Sequence, residues 1–238
     1  MKLHVLGING PFPESGGATS GYLLETEQLL LQFDFGSGIL GRLTALCPPE
    51  SLSAILISHW HFDHTSDLLP LIYRLDTAGV TLPVYGPADD QSALRKLVAS
   101  VPRFDLHTVA PGDTIAFENA TVIVGEARHP VPAVSWRVEA EGKTFGFTGD
   151  TNTLPSLPDF FHGCDLLLAD GPFPKAVWAE NRPHLSAALA AALARDAEVR
   201  KLVLTHLIPT VSPRVILEEA RAVFPAVSLA EAGQHLPV

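Results

Sequence analysis

Thiols are nearly missing from this chain. Two cysteines, Cys47 and Cys164, stand in 238 residues, far apart and outside any CxxC pattern. That excludes a disulfide framework and a thiolate zinc knot, and leaves each cysteine as a small buried hydrophobe. Positive charge is also scarce, with 16 Lys and Arg against 26 Asp and Glu and a formal net charge of −10. Such a chain has no general attraction for nucleic acid, whose binding rests on neutralised phosphates. A small phosphorylated molecule held at a local site remains compatible with it. No apolar run approaches the ~18 residues of a membrane span. The opening MKLHVLGINGPFP meets turn residues before any long apolar stretch, so no signal peptide and a cytoplasmic location are expected. No Gly/Ser linker, charge block or internal repeat marks a boundary, and one domain over residues 1–238 is the expectation. What the chain does have is apolar mass, 47% hydrophobic against 18% charged residues, which excludes a mainly disordered protein.

Short apolar runs alternate with turn signals. Strands are expected at 3–6, 22–25, 29–33, 54–58, 82–85, 114–117, 121–125, 134–138, 144–148, 166–169 and 202–205. Helical patterns fall at about 39–46, 64–77, 89–100, 184–195 and 213–224. In the last, Ser212 is placed to cap and Pro213 suits the first turn. Leu185, Leu189 and Leu193 form a four-residue stripe for packing on a sheet. Hairpin-like turns and interspersed helices together suggest two sheets with helices outside, an α/β (α+β) fold rather than one doubly wound sheet.

The densest chemistry is SHWHFDH at 58–64, directly after the apolar run Ala54-Ile55-Leu56-Ile57. In extended chain, alternate side chains project the same way, so His59 and His61 can converge on one point. Asp63 and His64 follow where a helix begins. Adjacent residues do not easily face one ion, which favours two neighbouring ions served by one loop. Imidazole with carboxylate oxygen suits zinc, manganese or iron. Three more donors, His129, Asp150 and His206, each stand at or just beyond the end of an expected strand. An isolated histidine such as His4, His107, His162 or His235 reads instead as a surface or hydrogen-bonded residue.

The order HxHxDH, distant His, strand-ending Asp, late His resembles the metallo-β-lactamase fold superfamily. The likeness extends to Asp34 in LLLQFDFGSG, which matches the early Asp that supports the histidine loop through hydrogen bonds. It implies a four-layer αββα metallo-β-lactamase sandwich with two divalent ions, zinc first and manganese or iron as alternatives. It further implies His59, His61 and His129 on the first ion, Asp63, His64 and His206 on the second, and Asp150 bridging.

Within the superfamily the chain resembles the tRNase Z-like branch. Asp, not Cys, stands at 150. His184 in RPHLSAALAAALAR matches the histidine on the leaving-group side, with Ser186 close behind. The loop LGINGPFPESGGATSGYLL offers Ser15, Gly16, Gly17, Thr19 and Ser20 as donors to a phosphate, although a ligand-free Gly turn fits equally. Trp60 and Phe173 are candidate rings for stacking on a base, with core packing as the alternative. Two departures matter. Only 21 positions separate His129 from Asp150 (150 − 129), leaving no room for the tRNA-binding arm, which with the charge argues against tRNA. Ala169-Asp170-Gly171-Pro172 replaces the branch's His-Glu-Ala-Thr, so Asp170 alone is left to orient His184. The reading is a dinuclear hydrolase of a small phosphodiester, cyclic nucleotides among the candidates. A hydroxide shared by the two ions would attack, Asp63 would orient it or take its proton, and His184 would serve the leaving oxygen. The alternatives are a sulfate-ester, lactone or thioester hydrolase and a non-catalytic metal-binding protein. No membrane partner is expected, and a homodimer is left open.

Overall fold

The short apolar runs closed by turns fold as strands, and the strands gather into two sheets. A computed structural model describes all residues, Met1–Val238. By its internal contacts the chain divides into one unit of Met1–Val109 with Glu231–Pro237, and a second of Ala110–Ala230 with Val238.

In the first unit, β1 (Lys2–Gly7), β2 (Gly21–Glu25) and β3 (Leu30–Phe33) pair antiparallel. The chain then runs through α1 (Ile39–Thr44), β4 (Ala54–Leu56), α2 (Phe62–Thr65), α3 (Leu68–Ala78), β5 (Leu82–Pro87), α4 (Ala93–Ser100) and β6 (Phe104–Val109). Strands β3, β4, β5 and β6 are parallel neighbours. Helix α3 buries Leu68, Leu71 and Leu75, one stripe at helical spacing. That stripe joins Ile39, Leu43, Ile55, Ile57 and Trp60 in the core.

The second unit begins with β7 (Thr114–Phe117), β8 (Ala120–Glu126), β9 (Val134–Ala140) and β10 (Lys143–Phe147), all antiparallel. It continues with α5 (Leu157–Phe160), β11 (Leu166–Asp170), α6 (Ala187–Asp196), β12 (Leu202–Thr205), α7 (Pro213–Arg221) and β13 (Val227–Leu229). Strands β10 to β13 run parallel. Finally β14 (His235–Pro237) returns to the first sheet, antiparallel to β1. Each sheet has seven strands, and each passes from antiparallel hairpins to parallel crossovers. The two units therefore repeat one plan that no sequence repeat announces. No helix is long and apolar enough to cross a membrane.

Several expectations need adjusting. The helix expected over 64–77 is two, because the Asp67 N–H leaves the helical ladder for Phe35 O at 3.0 Å. Helix α6 starts at Ala187, three residues after His184, capped by Ser186 Oγ, which accepts from Leu189 N. Ser212 stands at the start of α7, but its side chain makes no capping bond. Strands β6, β13 and β14 were not foreseen. The first alternates its apolar residues with exposed Asp105 and Thr108 at a sheet edge, and the others are three residues long. Burial pushes the Cys164 thiol up to about 12, in keeping with a packing role.

Candidate metal centre

The first unit builds its candidate donor cluster on one carboxylate. Asp34 follows β3 in the left-handed region, φ 51°, a conformation that Asp tolerates better than most side chains. It is fully buried. Its Oδ1 accepts the Ser58 N–H at 2.7 Å, and its Oδ2 accepts the Ser58 hydroxyl at 2.9 Å and faces His64 Nδ1 at 2.7 Å. Because the Ser58 hydroxyl proton goes to Asp34, the Ser58 oxygen is an acceptor toward His59 Nδ1, 3.1 Å away. Asp34 thus orients His64 directly and His59 through Ser58. Both rings are left with Nε2 as the outward donor atom, the arrangement that carboxylates and hydroxyls impose on metal-binding imidazoles. Burial pushes the Asp34 carboxyl up, opposed by His64 and by the Ser58 donors.

The result is a convergence of lone-pair atoms. His59 Nε2 stands 2.8 Å from His61 Nδ1, and His64 Nε2 is 3.5 Å from Asp63 Oδ2. Two imidazole nitrogens on one tetrahedral zinc lie about 3.3 Å apart at ordinary Zn–N lengths. The donor set therefore fits a divalent ion.

The second unit gathers its donors from separate strand ends. Asp150 follows β10 after Gly149, whose φ is 57°, and His206 follows β12, itself left-handed at φ 57°. Asp170 ends β11 beside Thr205. Asp150, Asp170, His184 and His206 each place a ligand atom within 4.8 Å of the others. His206 Nε2 is 3.4 Å from Asp150 Oδ2. His184 Nδ1 is hydrogen-bonded to Asp170 Oδ2 at 2.9 Å and lies 3.8 Å from Asp150 Oδ2. The expected pairing of His184 with Asp170 is thus present. Burial raises the Asp170 carboxyl and Asp150 adds to that, while His184 and His206 pull it down. His129 directs Nδ1 to Pro183 O at 3.2 Å, which leaves its Nε2 as the donor atom.

Other expected site residues are placed differently. Trp60 is 3% exposed, with its indole N–H donated to Pro87 O at 2.9 Å. It is a core anchor and not a stacking surface. Thr19 and Ser20 are buried. The Thr19 hydroxyl accepts from Ser37 N at 2.7 Å, and the Ser20 N–H donates to Asp63 O at 3.1 Å. Ser20 thus braces the histidine loop through its backbone, and Thr19 braces the turn after Asp34, so the Thr19 hydroxyl is engaged within the fold, while the Ser20 hydroxyl is buried with no hydrogen-bond partner. Ser15 is exposed, and Gly17 is closed by its N–H bond to Glu14 O. Phe173 does lie beside His184, ring centroids 5.7 Å apart, with the Arg182 guanidinium 5.4 Å over its ring.

Sequence reasoning missed Ser58, Pro183 and Asn152. Ser58 opens the histidine motif and could have been read as its brace. Asn152 is buried and donates to the carbonyls of Glu180 and Arg182 at 3.1 and 2.6 Å, tying down the segment before His184. Nothing local in the sequence signals that long-range bond.

Residues 33–207 match the family model described as a beta-lactamase superfamily domain. The Bacillus subtilis (strain 168) protein named probable metallo-hydrolase YhfI is 30% identical over 244 residues, 98% of each chain. The crystal structure of that metallo-beta-lactamase fold protein superposes with a TM-score of 0.92 at 28% identity, covering 99% of this chain and 98% of the other. Ribonuclease Z of Methanopyrus kandleri is 30% identical over 272 residues, covering 98% of this chain and 96% of that protein. Two mixed sheets flanked by helices, together with these likenesses, give the α/β metallo-β-lactamase fold expected from the sequence.

Proposed function

Because the chain belongs to the beta-lactamase superfamily, we propose that residues 1–238 form one metal-dependent hydrolase domain that cleaves a small phosphodiester at a dinuclear centre. His59, His61 and His129 would hold one ion and Asp63, His64 and His206 the other, with Asp150 shared. Zinc suits these donors first, then manganese or iron. When bound, the pair of ions supplies an activated water and offsets charge developing on the substrate.

The chain's own groups do the rest. Asp63 accepts the proton of the attacking water. His184, fixed through Nδ1 by Asp170 at 2.9 Å, presents Nε2 to the departing oxygen and protonates it. That pairing is the observation that carries the reading, since a buried carboxylate behind an imidazole is the arrangement for acid assistance to a poor leaving group. Phe173 beside His184 offers an aromatic wall for a nucleoside or similar leaving group.

Ribonuclease Z among the relatives makes tRNA a substrate to weigh. Here the stretch from His129 to Asp150 contains only β9, β10 and a tight turn at Glu141-Gly142, and the net charge is −10. Both favour a small substrate over tRNA. Hydrolysis of a sulfate ester, lactone or thioester is the competing chemistry, and a non-catalytic metal-binding role is the other reading. The test is a panel of bis-(p-nitrophenyl) phosphate, cyclic nucleotides, sulfate esters, lactones and thioesters, with bound metal measured in parallel. Phosphodiester turnover well above the other classes supports the proposal. Bound metal with preference for another ester overturns the substrate, and bound metal with no turnover overturns the enzyme.

A further inference from the structure

His4 and His235 sit at opposite ends of the sequence yet directly face each other. They are cross-strand partners in the β1–β14 pair. The Val5 N–H donates to Gln234 O at 3.0 Å, which puts His4 and His235 at the neighbouring position without backbone bonds, where opposed side chains approach most closely. On the other side of β1, Lys2 is opposite Glu25 of β2, so Glu25 is a diagonal neighbour of His4 on the same face. Three adjacent strands thus line up a carboxylate and two imidazoles in one row.

The distances are short. His4 Nε2 is 2.6 Å from Glu25 Oε2, and His4 Nδ1 is 2.7 Å from His235 Nδ1. The hydrogen bond from His4 holds the Glu25 carboxyl below the usual range even against its desolvation, and Lys2 adds to that. With His4 neutral, its Nε2–H is donated to the ionised Glu25, so the lone pair on Nδ1 points at His235. This repeats the arrangement at Asp34 and His64, where a carboxylate fixes one ring nitrogen and so sets the direction of the other. The approach of the two ring nitrogens also matches the 2.8 Å between His59 and His61. A cavity of about 330 Å³ opens beside the pair, lined by Val5, Leu6, Leu46 and Arg42 among others. The Arg42 guanidinium is turned to the carbonyls of Leu6 and Gly16, both at 2.6 Å. His235 is exposed, which gives a path of entry.

We propose that His4 and His235, with Glu25 orienting His4, form a further metal-binding site for a borderline divalent cation such as zinc, copper or nickel. Both Nδ1 atoms ligate, and water from the adjacent cavity completes the coordination. The proton on His235 Nδ1 passes to its Nε2, so the ring stays neutral. Bound ion fastens the short strand β14 to β1 and so ties residue 235 to residue 4. Nitrogen ligands without thiolate or a directly bound carboxylate argue against calcium and magnesium, which take oxygen.

The test uses the full chain with its other metal sites already loaded and zinc as the probe, read by bound-ion stoichiometry and by thermal midpoint. The wild type is expected to take up one more zinc per chain than His235→Asn. At a hundredfold excess over Kd its midpoint should rise by about 5 °C, and that of His235→Asn should not. Glu25→Gln keeps both ligands and should weaken the added site by about 10–100-fold. Copper in place of zinc should give a two-nitrogen signature in electron paramagnetic resonance that His235→Asn lacks. Hydrolysis at the main centre should be the same in wild type and variants. Equal stoichiometry in wild type and His235→Asn, with no metal-dependent shift, would mean the pair is only a hydrogen bond between strands and would overturn the proposal.

Discussion

The two units solve one structural problem with different chemistry. In each, the last antiparallel strand lies parallel to the strand that follows, with Phe33 opposite Leu56 in the first and Phe147 opposite Leu168 in the second. In each, the residue just past that strand sends a side-chain oxygen to the backbone N–H two positions beyond the partner. Asp34 Oδ1 takes the Ser58 N–H at 2.7 Å, and Thr148 Oγ1 takes the Asp170 N–H at 2.9 Å. The first unit uses a carboxyl brace, and its second oxygen goes on to orient His64 and Ser58. The second unit uses a neutral brace and places the carboxylate, Asp170, on the braced strand, where it holds His184. One brace therefore holds the histidine loop directly, while the other only positions the carboxylate that holds His184. Where the donors come from differs in the same way. The first unit packs them into one loop, and the second collects them from the ends of β10, β11 and β12 and from the segment before α6.

The largest expected effect breaks the comparison at its root. His61→Ala removes a donor from the first unit, and His206→Ala removes one from the second. If the two sets serve one centre, each variant should lose turnover by at least about 10⁴-fold, the rate equivalent of several kcal/mol of metal-derived stabilisation. Bound metal should fall in both. Turnover surviving in either one would mean that one unit alone carries the chemistry. Next comes His184→Ala. Its turnover should fall by about 10²–10⁴-fold with metal content unchanged, and the alkaline limb of the pH–rate profile should be lost. A fall in bound metal instead would make His184 a ligand, as its 3.8 Å approach to Asp150 allows.

The same contrast decides how much could be read from the sequence. SHWHFDH was legible because its donors are neighbours in the chain, and a loop of extended residues turns spacing into geometry. His129, Asp150 and His206 were legible as a set because each follows an apolar run that could only be a buried strand. The pairing of Asp170 with His184 was legible only through the resemblance, since the two stand 14 positions apart along irregular chain. Trp60 could be read two ways because a ring inside a metal motif can stack on a ligand or pack in the core, and the hydrogen bond to Pro87 that goes with its burial is long-range. Ser58, Asn152 and Pro183 act through bonds that depend on how strands are ordered. The duplicated plan of the two sheets was invisible because different side chains fill equivalent positions, as Asp34 and Thr148 do.

That equivalence can be sharpened by a matched pair of variants. Asp34→Asn keeps the shape but weakens the acceptor that orients His64 and Ser58. It should lower metal affinity by about 10–100-fold. Thr148→Val removes the neutral brace and leaves the buried Asp170 N–H without its acceptor, at a cost of about 1–3 kcal/mol in stability. Its metal affinity should stay near wild type. Denaturant midpoints and competitive metal titrations on both variants separate the outcomes. A large loss of metal affinity in Thr148→Val would show that the second brace also takes part in the site.

The smallest effect concerns the other ends of the same strands. Asp165 stands before β11 and accepts the Thr144 N–H at 2.9 Å, with Lys143 Nζ and Arg200 Nη1 each at 3.1 Å. Desolvation pushes its carboxyl up, but the Thr144 N–H, Lys143 and Arg200 outweigh it and hold the group below the usual range. A carboxylate lowered by folding contributes stability above its unfolded pKa of about 3.9 and loses it as pH falls through the lower folded value. Arg200 and Lys143 are substantially exposed, so screening limits the contribution to about 1 kcal/mol or less. Asp165→Asn should therefore unfold at a lower denaturant concentration than the wild type at pH 7, with the gap closing below about pH 4 and shrinking in high salt. Catalytic constants should not change, because this carboxylate sits at the strand starts and the candidate donors at the strand ends. A change in turnover without a change in stability would show that charge at the starts of these strands reaches the site, and the division between a structural edge and a chemical edge would have to be abandoned.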